Sequence, residues 1–361
     1  STSMQMVWET YPVIWICLLM ATIIGAYIWY LHRLLWRATN YANPHFHGWK
    51  KTGVIIASTF LLPFGIYGKF SIYPMRWSDA FVTPHTFAPA VTVNPVLYFF
   101  NTLKNKNVTF NRDKTRQYYD LMADYLGVAD KNSNTLNYRR EITTPGTYAA
   151  QRPNIVMVFL ESFASYKTGT FGNPLDPTPN FDAIAKQSLQ FSRFYKPHTG
   201  TARSVFAAVT GIPDNELNKT SSRNPLVVDQ HTIINAFDGY EKFYFLGGSA
   251  NWGNIRGVLQ HNIPNLNVYE EGSYASQRID VWGLSDLDLF KEANQVLRKQ
   301  EQPFFAIIQT SGNHRPYTIP EDNHGFELVQ QDDEALNNAG FISEGEYNSF
   351  RFMDNSLGFF M

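Results

Sequence analysis

Residues 152–162 read RPNIVMVFLES. Positions 155–160 are a continuous apolar run of strand length, bounded by Pro153 and Glu161. A run without polar alternation predicts a central strand buried on both faces, as in parallel sheets. Glu161 then stands at its carboxyl end, and in open α/β sheets ligands bind outside those ends. A single Glu after a strand is more often a solvated turn residue, so the surrounding segments must decide its role. KFYFLG (242–247) also reads as a strand, and FFAIIQTSGNHRPY (304–317) repeats the pattern of a buried run ending in a polar turn.

Residues 178–214 read TPNFDAIAKQSLQFSRFYKPHTGTARSVFAAVTGIPD. Phe181, Ile184 and Leu189 recur near helical spacing and predict an amphipathic helix. Gly200-Thr201 follows, and a second helix begins around Ser204 and closes at Thr210-Gly211. A hydroxyl at a helix N-terminus lies where the dipole favours anions. Simple N-capping explains a Ser or Thr there equally well.

The strand-Glu, the stretch PTPNFDAIAKQSLQF (177–191), and the Gly-Thr followed nine residues later by Thr-Gly resemble the alkaline-phosphatase/sulfatase superfamily. NIVMVFLES (154–162), GTARS (200–204) and GIP (211–213) resemble its lipoteichoic acid synthase and phosphoglycerol transferase branch, over residues 153–361. The resemblance implies an α/β fold, with a mostly parallel central sheet flanked by helices and preceded by transmembrane α-helices. It implies a membrane-anchored, metal-dependent transferase that moves a phosphoglycerol head group. The resemblance further implies phosphatidylglycerol as the donor, a glycan or glycolipid as the acceptor, and a phospho-threonine intermediate. By position, Glu161 corresponds to a metal ligand and Thr201 to the metal-bound nucleophile, with Ser204 a second choice. Trp252 corresponds to an active-site Trp and His314 to a substrate-site His. The family's Arg two residues after that Trp is Asn254 here, so Arg256 is expected to serve the phosphate, with Arg203 beside it. In WGLSDLDLF (282–290), Asp286 and Asp288 read as helix-start residues rather than ligands.

The chemistry implied is coherent. A Thr hydroxyl is a poor nucleophile near neutral pH, and a divalent cation lowers its pKa and polarises a phosphoryl oxygen. Oxygen ligands favour Mn²⁺ or Mg²⁺, while a family His admits Zn²⁺. Thr-Ala-Arg-Ser-Val stands where sulfatases carry Cys/Ser-x-Pro-x-Arg, which disfavours sulfate-ester hydrolysis through formylglycine. No Asp-His pair occurs, although the family completes its metal site with one. The expectation is a catalytic domain truncated before that strand; the alternative is a lipid-binding relative that has lost its metal. Phosphoethanolamine transferases of this fold usually carry disulfides, and the sole cysteine here is Cys17, so that activity ranks second.

Residues 11–30, YPVIWICLLMATIIGAYIWY, carry no charge. Twenty such residues suffice to cross roughly 30 Å of hydrocarbon, and Trp and Tyr at the ends suit the headgroup layer. Residues 52–68 form a second uncharged run, interrupted by Pro63, that predicts a kinked span or an interfacial helix. Arg33, Arg37, Lys50 and Lys51 lie between the two, which places that loop in the cytoplasm and the rest outside. The organisation expected is a transmembrane region at 1–70, juxtamembrane helices and linker at 71–150, and an extracytoplasmic catalytic domain at 151–361. Further helices are expected before residue 1 of a multi-pass protein of the bacterial inner (cell) membrane. A net charge of −1 offers no field for nucleic acid.

Overall fold

The computed structural model describes residues 13–41, 95–104, 110–141, 152–214, 220–224 and 227–361, with isolated positions between 49 and 92. The chain divides into two compact units, Ser1–Pro74 and Met75–Met361.

In the first unit the uncharged run forms part of helix α1 (Val13–Tyr41). Trp15, Leu19, Tyr27 and Trp29 are all exposed on it. The helix does not stop at Tyr30 but continues through His32, Arg33 and Arg37, so it is not apolar throughout. Among the described residues no helix is long and apolar enough to cross a membrane. The two expected spans are therefore not shown, and the one at 52–68 falls largely outside the described residues.

The second unit opens with a 3-10 turn at Trp77–Ala80, then α2 (Pro95–Lys104), α3 (Arg112–Gln117) and α4 (Tyr119–Leu126). Part of the expected linker is folded: Val128 packs with Tyr119 and Ala123, and Tyr138 lies against them. The remainder follows as β1 (Ile155–Phe159), α5 (Pro179–Lys186), α6 (Thr201–Thr210), β2 (Glu241–Leu246), α7 (Ile255–Asn262), β3 (Leu266–Tyr269), α8 (Asp286–Leu297), β4 (Phe304–Gln309), α9 (Asp333–Asn338) and α10 (Glu344–Phe360).

The strands form one sheet in the order β1-β4-β2-β3, and every pairing is parallel. Ala306 of β4 pairs with Val156 on one side and Phe243 on the other. This confirms the parallel sheet but corrects the place of β1. The strand buried on both faces is β4, all six of whose residues are buried, whereas β1 lies at one edge of the described sheet with Val156 exposed. Strand order is set by crossovers, not by the apolarity of one run.

Alternation along the strands builds a layer on each face. Tyr244, Leu246, Phe305 and Ile307 pack with Ala202, Val205, Phe206 and Val209 of α6 and Val258 and Leu259 of α7. Phe243, Phe245, Ala306 and Ile308 pack with Leu289, Phe290 and Ala293 of α8 and Leu357 of α10. Each fully buried Leu or Phe contributes about 1.5–3 kcal/mol through the hydrophobic effect. The helix ends follow local chemistry. Gly211 closes α6 at φ 72, and the Ser285 hydroxyl caps α8 by accepting the Asp288 N–H.

Candidate active site

Because all four strands run parallel, their carboxyl ends share one edge, and β1, β2 and β4 each deliver a polar turn to it. β1 delivers Glu161. Its backbone N–H donates to the Thr310 hydroxyl on the turn after β4, at 2.7 Å. Gly200 precedes α6 in extended backbone, so Thr201 opens the helix and its hydroxyl donates to Glu161 Oε2 at 2.8 Å. The other carboxylate oxygen, Oε1, accepts from the Ser162 hydroxyl at 3.1 Å and lies 3.4 Å from His314 Nε2. The structure thus brings Glu161, Thr201 and His314 to one point.

Burial pushes the Glu161 carboxyl up. The hydrogen bond and charge of His314, with the hydroxyls of Thr201 and Ser162, more than offset this, and the net shift is downward. Glu161 is held as the anion, while the His314 ring packs against Trp282 in a tilted pair, with centroids 4.4 Å apart. Three non-glycine residues in these turns adopt left-handed backbone: Ser162 (φ 53), Asn254 (φ 63) and Asn313 (φ 56). Such outliers persist where the surroundings over-determine them, as at ligand sites.

Trp252 occupies a short 3-10 turn that packs against the start of α6. A Cβ on Gly253 (φ 59) would fall 2.6 Å from Ala202 Cβ, so the glycine is what lets turn and helix touch. The two arginines are engaged elsewhere. Residues two apart on a helix face opposite sides, and Arg203 Nη1 lies 3.4 Å from the Asp214 carbonyl oxygen and 3.8 Å from its carboxylate. Arg256 donates to Asn251 Oδ1 at 3.2 Å and Gln260 Oε1 at 3.3 Å, and pairs with Glu270. Glu270 also accepts the Ala250 N–H at 2.7 Å, so Arg256 and Glu270 grip the residues just before Trp252. The Ser204 hydroxyl donates to the His198 carbonyl at 2.9 Å, which leaves Thr201 as the hydroxyl aimed at Glu161.

Three participants gave no signal in the sequence as site residues. Ser162 and Thr310 are ordinary turn hydroxyls there. Asn313 donates through Nδ2 to the carbonyls of Glu161 and Ser162, at 3.4 Å each, across the gap between two strand ends. The polar tail TSGN after a buried strand was the available signal. The donor chemistry of the Glu161 carboxylate and Thr201 hydroxyl fits a hard divalent cation. Among the described residues, no group of three or more His, Cys, Asp or Glu side chains is placed to hold a metal ion.

Comparison with known proteins bears on the family and the fold. The chain is 22% identical over 335 residues to lipoteichoic acid synthase of Staphylococcus saprophyticus, which covers 81% of this chain and 50% of that protein. Its Staphylococcus aureus counterpart is 22% identical over 325 residues, covering 78% and 49%. The chain thus spans about half the length of these relatives. Among solved structures, a protein of the alkaline phosphatase superfamily from Vibrio parahaemolyticus superposes with a TM-score of 0.55 at 26% identity, covering 70% of this chain and 59% of the other. A lipoteichoic acid synthase from Listeria monocytogenes has the same fold, with a TM-score of 0.50 at 20% identity over 58% of this chain and 52% of that one. Residues 153–359, which hold the sheet, the strand-end Glu161 and the Thr201 helix, match the sulfatase family, and the chain belongs to it.

Proposed function

We propose that the chain carries the catalytic part of a membrane-associated transferase that moves a phosphoglycerol head group from phosphatidylglycerol to an alcohol of a glycan or glycolipid. The observation that carries this reading is the 2.8 Å contact between the Thr201 hydroxyl and Glu161 Oε2 at the carboxyl edge of the sheet. The similarity to lipoteichoic acid synthases supports the choice of reaction. Exposed Trp and Tyr rings along α1 suit insertion into a lipid layer.

In the first displacement the Thr201 oxygen gives up its proton and bonds to phosphorus, the bond from phosphorus to the diacylglycerol oxygen breaks, and that oxygen takes up a proton, so no net proton is gained or lost. In the second an acceptor hydroxyl gives up its proton and bonds to phosphorus, the bond from phosphorus to the Thr201 oxygen breaks, and that oxygen takes up a proton, which restores the hydroxyl. Glu161 orients rather than deprotonates: its lowered pKa makes it a weak base, while its Oε2 fixes the direction of the Thr201 lone pairs. Glu161 and Thr201 would hold a divalent cation, which when bound supplies the missing acidity of the hydroxyl and polarises the phosphoryl group. His314 at Oε1 and the Trp252 turn frame the space for the head group. Arg203 and Arg256, held by Asp214 and Glu270, support the walls of that space.

The test is turnover of a fluorescent phosphatidylglycerol analogue by the full-length protein with Mn²⁺. Thr201→Ala is expected to abolish diacylglycerol release, while Thr201→Ser keeps a fraction of it. Near-normal turnover by Thr201→Ala overturns the assignment and moves it to Ser204.

A further inference from the structure

Asp286 opens α8 and is 3% exposed, an expensive place for a carboxylate. The helix does not need it, since Ser285 already caps the first turn and Asp288 supplies an anion there. Its Oδ1 instead reaches the turn after β4, accepting the N–H of Ser311 at 3.1 Å and of Gly312 at 3.0 Å. The backbone lies directly on the carboxylate: a Cβ at Gly312 would fall 2.5 Å from Asp286 Oδ2. The gripped residues sit between two that hold Glu161. Upstream, Thr310 accepts the Glu161 N–H; downstream, Asn313 donates to the Glu161 and Ser162 carbonyls. Next comes His314, which meets the Glu161 carboxylate and packs against Trp282 just before α8.

We propose that Asp286 is a positioning residue: it fixes the 310–314 turn so that Thr310, Asn313 and His314 hold Glu161 where Thr201 meets it. An anion is the effective acceptor for two convergent N–H groups, because charge-assisted hydrogen bonds are roughly twice as strong as neutral ones. Burial pushes Asp286 up to about 6, and the two N–H bonds oppose that rise. Nothing on its own helix asks for it to be there. Among the described residues its side-chain hydrogen bonds lead to the turn that carries the site.

The inference rests on the Thr201–Glu161 reading, so the test has one readout that needs no turnover. In the full-length protein carrying ¹³C-labelled histidine, the His314 resonance is identified by its loss in His314→Ala, and its shift reports the packing of His314 against the Trp282 ring. Asp286→Ala and Gly312→Ala are expected to move that resonance, and Asp286→Asn, which keeps an acceptor oxygen, to leave it close to wild type. In turnover, the first two are expected to lower kcat by about 10²-fold, the effect of misplacement on the order of 1 Å, with KM little changed. If Asp286→Ala does not fold, Gly312→Ala carries the test by pushing the turn off the carboxylate. A folded Gly312→Ala or Asp286→Ala with an unmoved His314 resonance and unchanged kcat overturns the proposal. A moved resonance in a protein whose wild type turns over no phosphatidylglycerol analogue supports the positioning role and counts against the proposed reaction instead.

Discussion

Burial pushes both carboxylates of the site, Glu161 and Asp286, upward, but their neighbours leave them with opposite net shifts. Glu161 meets three donors from His314, Thr201 and Ser162, and its net shift is downward. Asp286 meets two backbone N–H groups in a fully buried position and rises to about 6. Since its folded value lies above the ordinary carboxylate value, the folded state binds more protons than the unfolded chain between about pH 4 and 6. Stability from this group therefore falls as pH rises through that window. Asn does not titrate, so the stability of Asp286→Asn relative to wild type is expected to rise across it by on the order of 3 kcal/mol. Parallel denaturation curves at pH 4 and pH 7 check this, and a constant difference between the two proteins contradicts it. The places of Glu161, Thr201 and His314 at the ends of elements were legible in the sequence, from an apolar run, a Gly-Thr and a polar turn, while their expected roles came from the family resemblance. The settings of Arg203 and Arg256 were not, because their partners, Asp214 and Glu270, come from other loops. Asp286 was legible as a helix-start residue, and α8 does begin there, but its burial depends on the turn folding over it from β4.

Among the elements, α8 links core and site. Its apolar face, Leu289, Phe290 and Ala293, fills the layer beneath β2 and β4 while its first residue grips the β4 turn. Leu289→Ala opens a cavity in a fully buried position and is expected to cost about 2–5 kcal/mol, read as a loss in thermal or denaturant stability. A change below about 0.5 kcal/mol, the range of a surface substitution, contradicts the packing described here. The helices near 181–189 and 204–210 could be read from the sequence, as could the strand runs at 155–160, 242–247 and within 304–317. The central place of β4 could not: β1 and β4 are both apolar runs, and only the crossovers decide which takes the flank.

At the scale of the whole molecule, the expected transmembrane pair is not shown, yet α1 leaves Trp15, Leu19, Tyr27 and Trp29 exposed. In the proposed arrangement lipid covers them. Cys17, the sole cysteine of the chain and exposed on α1, is then expected to resist an aqueous maleimide in intact membranes and to react once detergent is added. Rapid labelling in intact membranes places α1 in water. The uncharged run that signals lipid is legible in the sequence; how much of α1 lies in lipid is not, because the helix passes without a break into residues bearing Arg33 and Arg37. The most direct measurement on the central claim is capture of the covalent intermediate. The full-length protein is mixed with a phosphatidylglycerol analogue, quenched in acid, digested and analysed by mass spectrometry. A phosphoglycerol group is expected on the peptide bearing Thr201, absent from Thr201→Ala and from protein without lipid. A group found on Ser204 or elsewhere, or turnover with no adduct on any residue, contradicts the assignment of Thr201 as the nucleophile.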